Sequence, residues 1–183
     1  QRDGKVSRPY EWRNVPAFVR LGWRERAWEV VDYFFKDRVP QPWNQWAEVV
    51  SKTPRKPFFL GDLPHAWVGS DFVRSALDMF AYVRESDDSL VLAAGIPADW
   101  LDHGIEVHGL RTPDGELGYR LARDGDTLVL DVDAGAGMPV GGLVLPWPYP
   151  SIPGVTTLDG EPVQWQGREL RIGKPGSKVI IKL

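Results

Sequence analysis

The sequence contains no cysteine, only two methionines and no strong excess of either charge. Without cysteine there is neither a disulfide framework nor a thiolate metal site, and redox chemistry says nothing about compartment. No apolar run reaches the roughly 20 residues of a membrane span, so a membrane partner is not expected. No secretory leader is recognisable. The 22 Lys and Arg against 25 Asp and Glu leave a formal net charge of -3. Residues 1–60 are nevertheless basic, 12 against 7, and residues 61–183 acidic, 10 against 18. Arg13, Arg20, Arg24, Arg26, Lys36 and Arg38 alternate with acids and form no block, which argues against nucleic acid as a partner.

What is present is an ordinary globular composition, 43% hydrophobic and 26% charged, in a chain of 183 residues. At that length roughly 70% of the unfolded surface can be buried. Nine Trp are unusual, and six fall within residues 12–67. Trp offers a flat apolar face and one N–H, suited to a core or to stacking on sugar rings.

Ala27, Val30, Val31, Phe34 and Phe35 follow helical spacing and predict a helix over about 24–37, ended by Pro40 and Pro42. Val15, Phe18 and Val19, stopped by Gly22, predict an earlier helix over 13–21, completing a hairpin. Residues 40–69 hold too many breakers and aromatics for one regular element, and read as a long aromatic loop. A helix over 69–84 is predicted next, with Ser70 as N-cap and Val73, Ala76, Leu77 and Phe80 on its buried face.

Beyond Glu85 the texture changes to short β-prone runs: 90–93, 105–108, 118–121, 127–132, 143–145, 163–166, 169–172 and 178–183. Asp114-Gly115, Asp124-Gly125 and Asp159-Gly160 are hairpin signals spaced as in an antiparallel sandwich. The expected boundary lies at 85–88, giving helices and loop over 1–85 and a β-sandwich domain over 86–183, an α+β chain.

Three stretches carry candidate chemistry: Tyr10-Glu11-Trp12-Arg13, Trp43-Asn44-Gln45-Trp46-Ala47-Glu48, and Gly61-Asp62-Leu63-Pro64-His65-Ala66-Trp67-Val68-Gly69-Ser70-Asp71-Phe72. Glycoside cleavage needs two carboxyl groups flanking the scissile bond. Acids among aromatic side chains are suitable material, because desolvation raises a carboxyl pKa while aromatic faces hold the sugar.

The order of helix, Trp-x-x-Trp loop, Gly-Asp-Leu-Pro-His-x-Trp, helix and small β-domain resembles the end of six-hairpin glycosidases, especially the α-L-rhamnosidase-like and related bacterial glycoside hydrolases. The resemblance covers nearly the whole chain. It implies the terminal helices of an (α/α)6 toroid followed by an antiparallel β-sandwich, with the rest of the barrel supplied by a missing amino-terminal part of the same protein. In that family the loop often reads Trp-Glu-x-Trp with the Glu as base. Asn44 stands at that position here, leaving Glu48 as the displaced catalytic candidate.

Each candidate has a second, structural reading. Glu48 and Asp62 are the proposed catalytic carboxylates; Glu48 otherwise pairs on a helix, and Asp62 otherwise closes an Asx-turn. Trp43, Trp46, Trp67, His65 and Glu11 are candidate substrate-binding groups; the tryptophans otherwise pack the core, His65 otherwise makes a half-buried hydrogen bond, and Glu11 otherwise serves a helix start. His103 and His108 have no third ligand at metal spacing, and neither a metal nor a cofactor is expected. Gly135–Gly142 lacks the Lys-Ser/Thr of a phosphate loop.

Two functions compete on this basis. One is the carboxy-terminal portion of a glycoside hydrolase, inactive alone, with carbohydrate as partner. The other is a non-catalytic carbohydrate-binding or docking module, which the Asn44 departure favours. The hydrolase requires a second acid across a cleft from Glu48 or Asp62, whereas the module requires only accessible aromatic faces.

Overall fold

A computed structural model describes residues 5–7, 11–36, 38, 42, 44–51 and 62–183. Trp43, Tyr10, Gly61 and the prolines at 40, 54 and 57 lie outside the described residues. The chain divides into two units, Gln1–Met79 and Phe80–Leu183.

In the first unit, α1 (Asn14–Arg20) and α2 (Arg24–Lys36) form the expected hairpin. Gly22 adopts φ 73°, and the Leu21 and Gly22 N–H groups donate to the Ala17 and Val19 carbonyls, closing α1 where a residue with a Cβ would be strained. Val15, Val19, Ala27, Val31 and Phe34 are buried, as helical spacing dictates. A short ribbon ties the aromatic loop to the start of the chain, β2 (Val49–Ser51) in the loop pairing antiparallel with β1 (Lys5–Ser7).

The next helix, α3 (Ala66–Phe80), starts three residues earlier than its predicted 69 and ends four earlier than 84. Its start is set by His65, whose Nδ1 accepts the Val68 N–H at 3.3 Å, so Ser70 is not the cap. Its buried face also differs. Val73 and Leu77 are 52% and 45% exposed, while Val68, Ser75, Asp78 and Met79 turn inward. Inward polar groups are tolerable because they are satisfied: Ser75 Oγ donates to Asp71 O at 2.6 Å, and Asp78 takes the Arg20 guanidinium at 2.5 Å.

The second unit is built of strands: β3 (Ala81–Arg84), β4 (Ser89–Leu92), β5 (Ile105–Thr112), β6 (Gly115–Asp124), β7 (Thr127–Val132), β8 (Leu143–Pro146), β9 (Thr156–Leu158), β10 (Glu161–Pro162), β11 (Glu169–Ile172) and β12 (Lys178–Lys182). They make a six-stranded sheet, β10-β9-β12-β7-β6-β5, and a four-stranded sheet, β11-β8-β4-β3. Strand β7 alternates buried and half-buried residues, and β12 buried and exposed ones, the period of a sheet with one covered face. Strand β4 is buried throughout. Asp159 and Gly160 both have positive φ between the paired Leu158 and Glu161, the geometry of a two-residue hairpin turn.

These observations correct the expected fold. Among the described residues, three short α-helices, the two-stranded ribbon and two larger sheets of four and six strands make a mostly β chain, not the end of an (α/α)6 toroid followed by a sandwich. The four-stranded sheet is also not purely antiparallel, since β4 runs parallel to β8. Residues 81–84, read as helix, are strand β3, because Leu92 and Val91 supply a ladder for Ala81 and Tyr82. Residues 163–166, read as a strand, contribute one isolated bridge, Gln166 to Glu169.

Candidate functional site

The first unit contains a cleft of about 480 Å³ lined by Phe35, Asn44, Gln45, Trp46, Pro64, His65, Ala66, Gly69, Phe72 and Val73. Three segments build it: the end of α2, the Asn44–Trp46 loop, and the start of α3. Its apolar wall is the front of an aromatic cluster. Phe35 and Phe72 lie with ring centres 5.5 and 5.1 Å from Trp46, and Trp12, fully buried behind them, is 5.1 Å from Trp46 and 5.3 Å from Phe72. The edge-to-face angles, 73° for Trp12–Trp46 and 88° for Phe35–Trp46, are those favoured by ring quadrupoles. Trp46 is 6% exposed and its Nε1 donates to Phe34 O at 2.9 Å. Its ring is fixed from behind, while Phe35 remains 38% exposed.

The polar rim is Asn44, Gln45 and His65. Asn44 takes φ 51°, a left-handed conformation that Asn tolerates better than most residues. Its Oδ1 accepts from Arg38 Nη1. Arg38 also donates from Nε to Phe35 O at 3.1 Å and places its guanidinium 5.0 Å from the Phe35 ring centre. The His65 ring, with Nδ1 engaged by Val68 N–H, carries its neutral-state proton on Nε2.

Among the sequence candidates, the cleft brings together Trp46 and His65. Trp67 is 41% exposed but does not line the cleft; Arg13 lies over its ring at 4.9 Å, held by Asp71 at 3.1 Å. Glu48 and Asp62 come together through their backbones, Glu48 N–H donating to Asp62 O at 3.1 Å, yet neither side chain lines the cleft. Asp62 is exposed and Glu48 half-buried. Glu11 opens the helical turn before α1, its carbonyl accepting Asn14 Nδ2 at 3.1 Å, and is not among the lining residues. Trp43 lies outside the described residues.

Phe35 and Phe72 line the cleft without being among the predicted binding residues, although Phe72 closes the third candidate stretch. Phe35 was assigned to the buried face of α2, although it follows Phe34 by one position and therefore sits about 100° round the helix. That offset was the available signal. Among the described residues no three His, Asp or Glu side chains converge as a metal site, and no helix is long and apolar enough to cross a membrane. Comparison of the chain with protein families, curated proteins and solved structures finds no match.

Proposed function

We propose that the chain is a non-catalytic carbohydrate-binding module whose binding site is the cleft between the end of α2 and the start of α3. The observation that carries this reading is the composition of the cleft: a wall of Phe35, Trp46 and Phe72 beside hydrogen-bonding Asn44, Gln45 and His65. A sugar ring has apolar C–H faces and a hydroxyl perimeter, so it needs an aromatic face with polar groups at its edge. A volume of about 480 Å³ falls in the range of small-molecule sites.

Hydrolysis is the weaker reading. None of the described lining residues is Asp or Glu, whereas glycoside cleavage needs two carboxyl groups at the bond. Asn44, at the position where the resembling family carries its base, has no carboxyl group, and its Oδ1 accepts a hydrogen bond from Arg38 Nη1.

Calorimetric titration of the chain with neutral and acidic oligosaccharides tests the proposal. Binding of at least one class, weakened about ten-fold or more by Phe35→Ala and unaltered by Glu48→Gln, is expected. Binding that depends on Glu48 rather than Phe35, or no binding to any saccharide, would overturn it.

A further inference from the structure

Resting on the carbohydrate reading of this cleft, we infer that its ligand is an acidic saccharide, whose carboxylate or sulfate meets Arg38 at the rim. Three observations agree. First, Arg38 is half-buried and touches two lining residues, yet forms an ion pair with no acid among the described residues. Its bonds so far are to two uncharged oxygens, Phe35 O and Asn44 Oδ1. A partly desolvated guanidinium with only neutral acceptors retains most of its attraction for an anion, and its planar fork suits a carboxylate.

Second, the neighbouring polar groups present donors. Arg38 occupies Asn44 Oδ1, which leaves the Asn44 amide N–H groups for a ligand. Val68 N–H occupies His65 Nδ1, which leaves Nε2–H. With one acceptor on each of Asn44 and His65 already engaged, these two rim groups turn N–H donors toward a ligand, which suits one rich in acceptors. Third, no described lining residue carries a negative charge that would repel an anion, and the first turn of the 15-residue α3 has no acid to offset its positive end.

The test uses three matched trisaccharides: a uronate, its carboxyl-reduced neutral counterpart, and the neutral sugar bearing 6-O-sulfates. Titration at low and high salt reads the affinity ratios. Tighter binding of an acidic arm by about ten-fold at low salt, shrinking as salt rises, is expected. The stronger acidic arm identifies carboxylate or sulfate as the group. Arg38→Gln should bring the ratio below about twofold. Asn44→Asp, which tolerates the same backbone and supplies Arg38 with an internal carboxylate, should do the same if Arg38→Gln proves unstable. Equal affinity for neutral and acidic arms, or a ratio untouched by both variants, would overturn the charge inference while leaving the carbohydrate reading intact. Binding to none of the three at any salt would remove the carbohydrate reading as well.

Discussion

Phe35 and Trp67 show two fates of an exposed aromatic in the same unit. Each has a guanidinium over its ring, Arg38 over Phe35 and Arg13 over Trp67, but Phe35 lines the cleft and Trp67 does not. Phe35→Ala should therefore reduce saccharide affinity at least about ten-fold, roughly 1.4 kcal/mol, and Trp67→Ala less than twofold, both read by calorimetry. Sequence identified tryptophans as candidates but could not rank the aromatics, because which ring lines a cleft depends on the segments that the fold brings beside it. A different residue-scale prediction concerns Asp87. Its carboxylate accepts from Arg84, Ser89 and Arg171, and the Arg84 hydrogen bond chiefly holds its pKa well below the ordinary carboxylate range. A depressed folded-state pKa gives stability that is present above the unfolded value of about 3.9 and is lost as pH falls through and below it. The thermal midpoint of the protein should fall between about pH 5 and pH 2, and Asp87→Asn should lower the midpoint at pH 7 while flattening that acid slope.

Elements were legible where local chemistry decides them. Helix α2 follows its apolar spacing, β7 and β11 their predicted spans, and the Asp159-Gly160 pair its turn. Elements that depend on distant partners were not. Strand β3 continues directly from a helix and exists because β4 pairs with it. The buried face of α3 was misassigned because Ser75 and Asp78 are acceptable inside only once Asp71 O and Arg20 are in reach. Close approach of two backbones is likewise invisible in sequence. A Cβ at Gly141 would lie 2.0 Å from Asp87 O, and the Gly141 N–H donates to Asp88 O at 2.8 Å, so the segment entering β8 presses on the β3–β4 turn. Gly141→Ala should destabilise the second unit by about 3 kcal/mol in denaturant unfolding, since backbone cannot yield as a side-chain tip does. Tyr119→Phe should cost about 1 kcal/mol in the same assay, because Tyr119 Oη donates to Phe80 O at 2.7 Å from a buried position.

At the scale of the whole molecule, resemblance in a short motif implies a toroid, whereas the described residues form three short α-helices, a two-stranded ribbon and two larger sheets. The motif residues were misleading about the fold. Trp46 and His65 do meet in one cleft, while Glu48 and Asp62, the proposed carboxylates, do not line it. The central claim is binding without bond cleavage. The most direct measurement incubates the chain with a saccharide that it binds by calorimetry and follows reducing ends over time. Saturable binding abolished by Phe35→Ala, with no reducing ends formed above the protein-free control, is the predicted result. Reducing ends that accumulate with the chain and vanish with Glu48→Gln or Asp62→Asn would contradict the account.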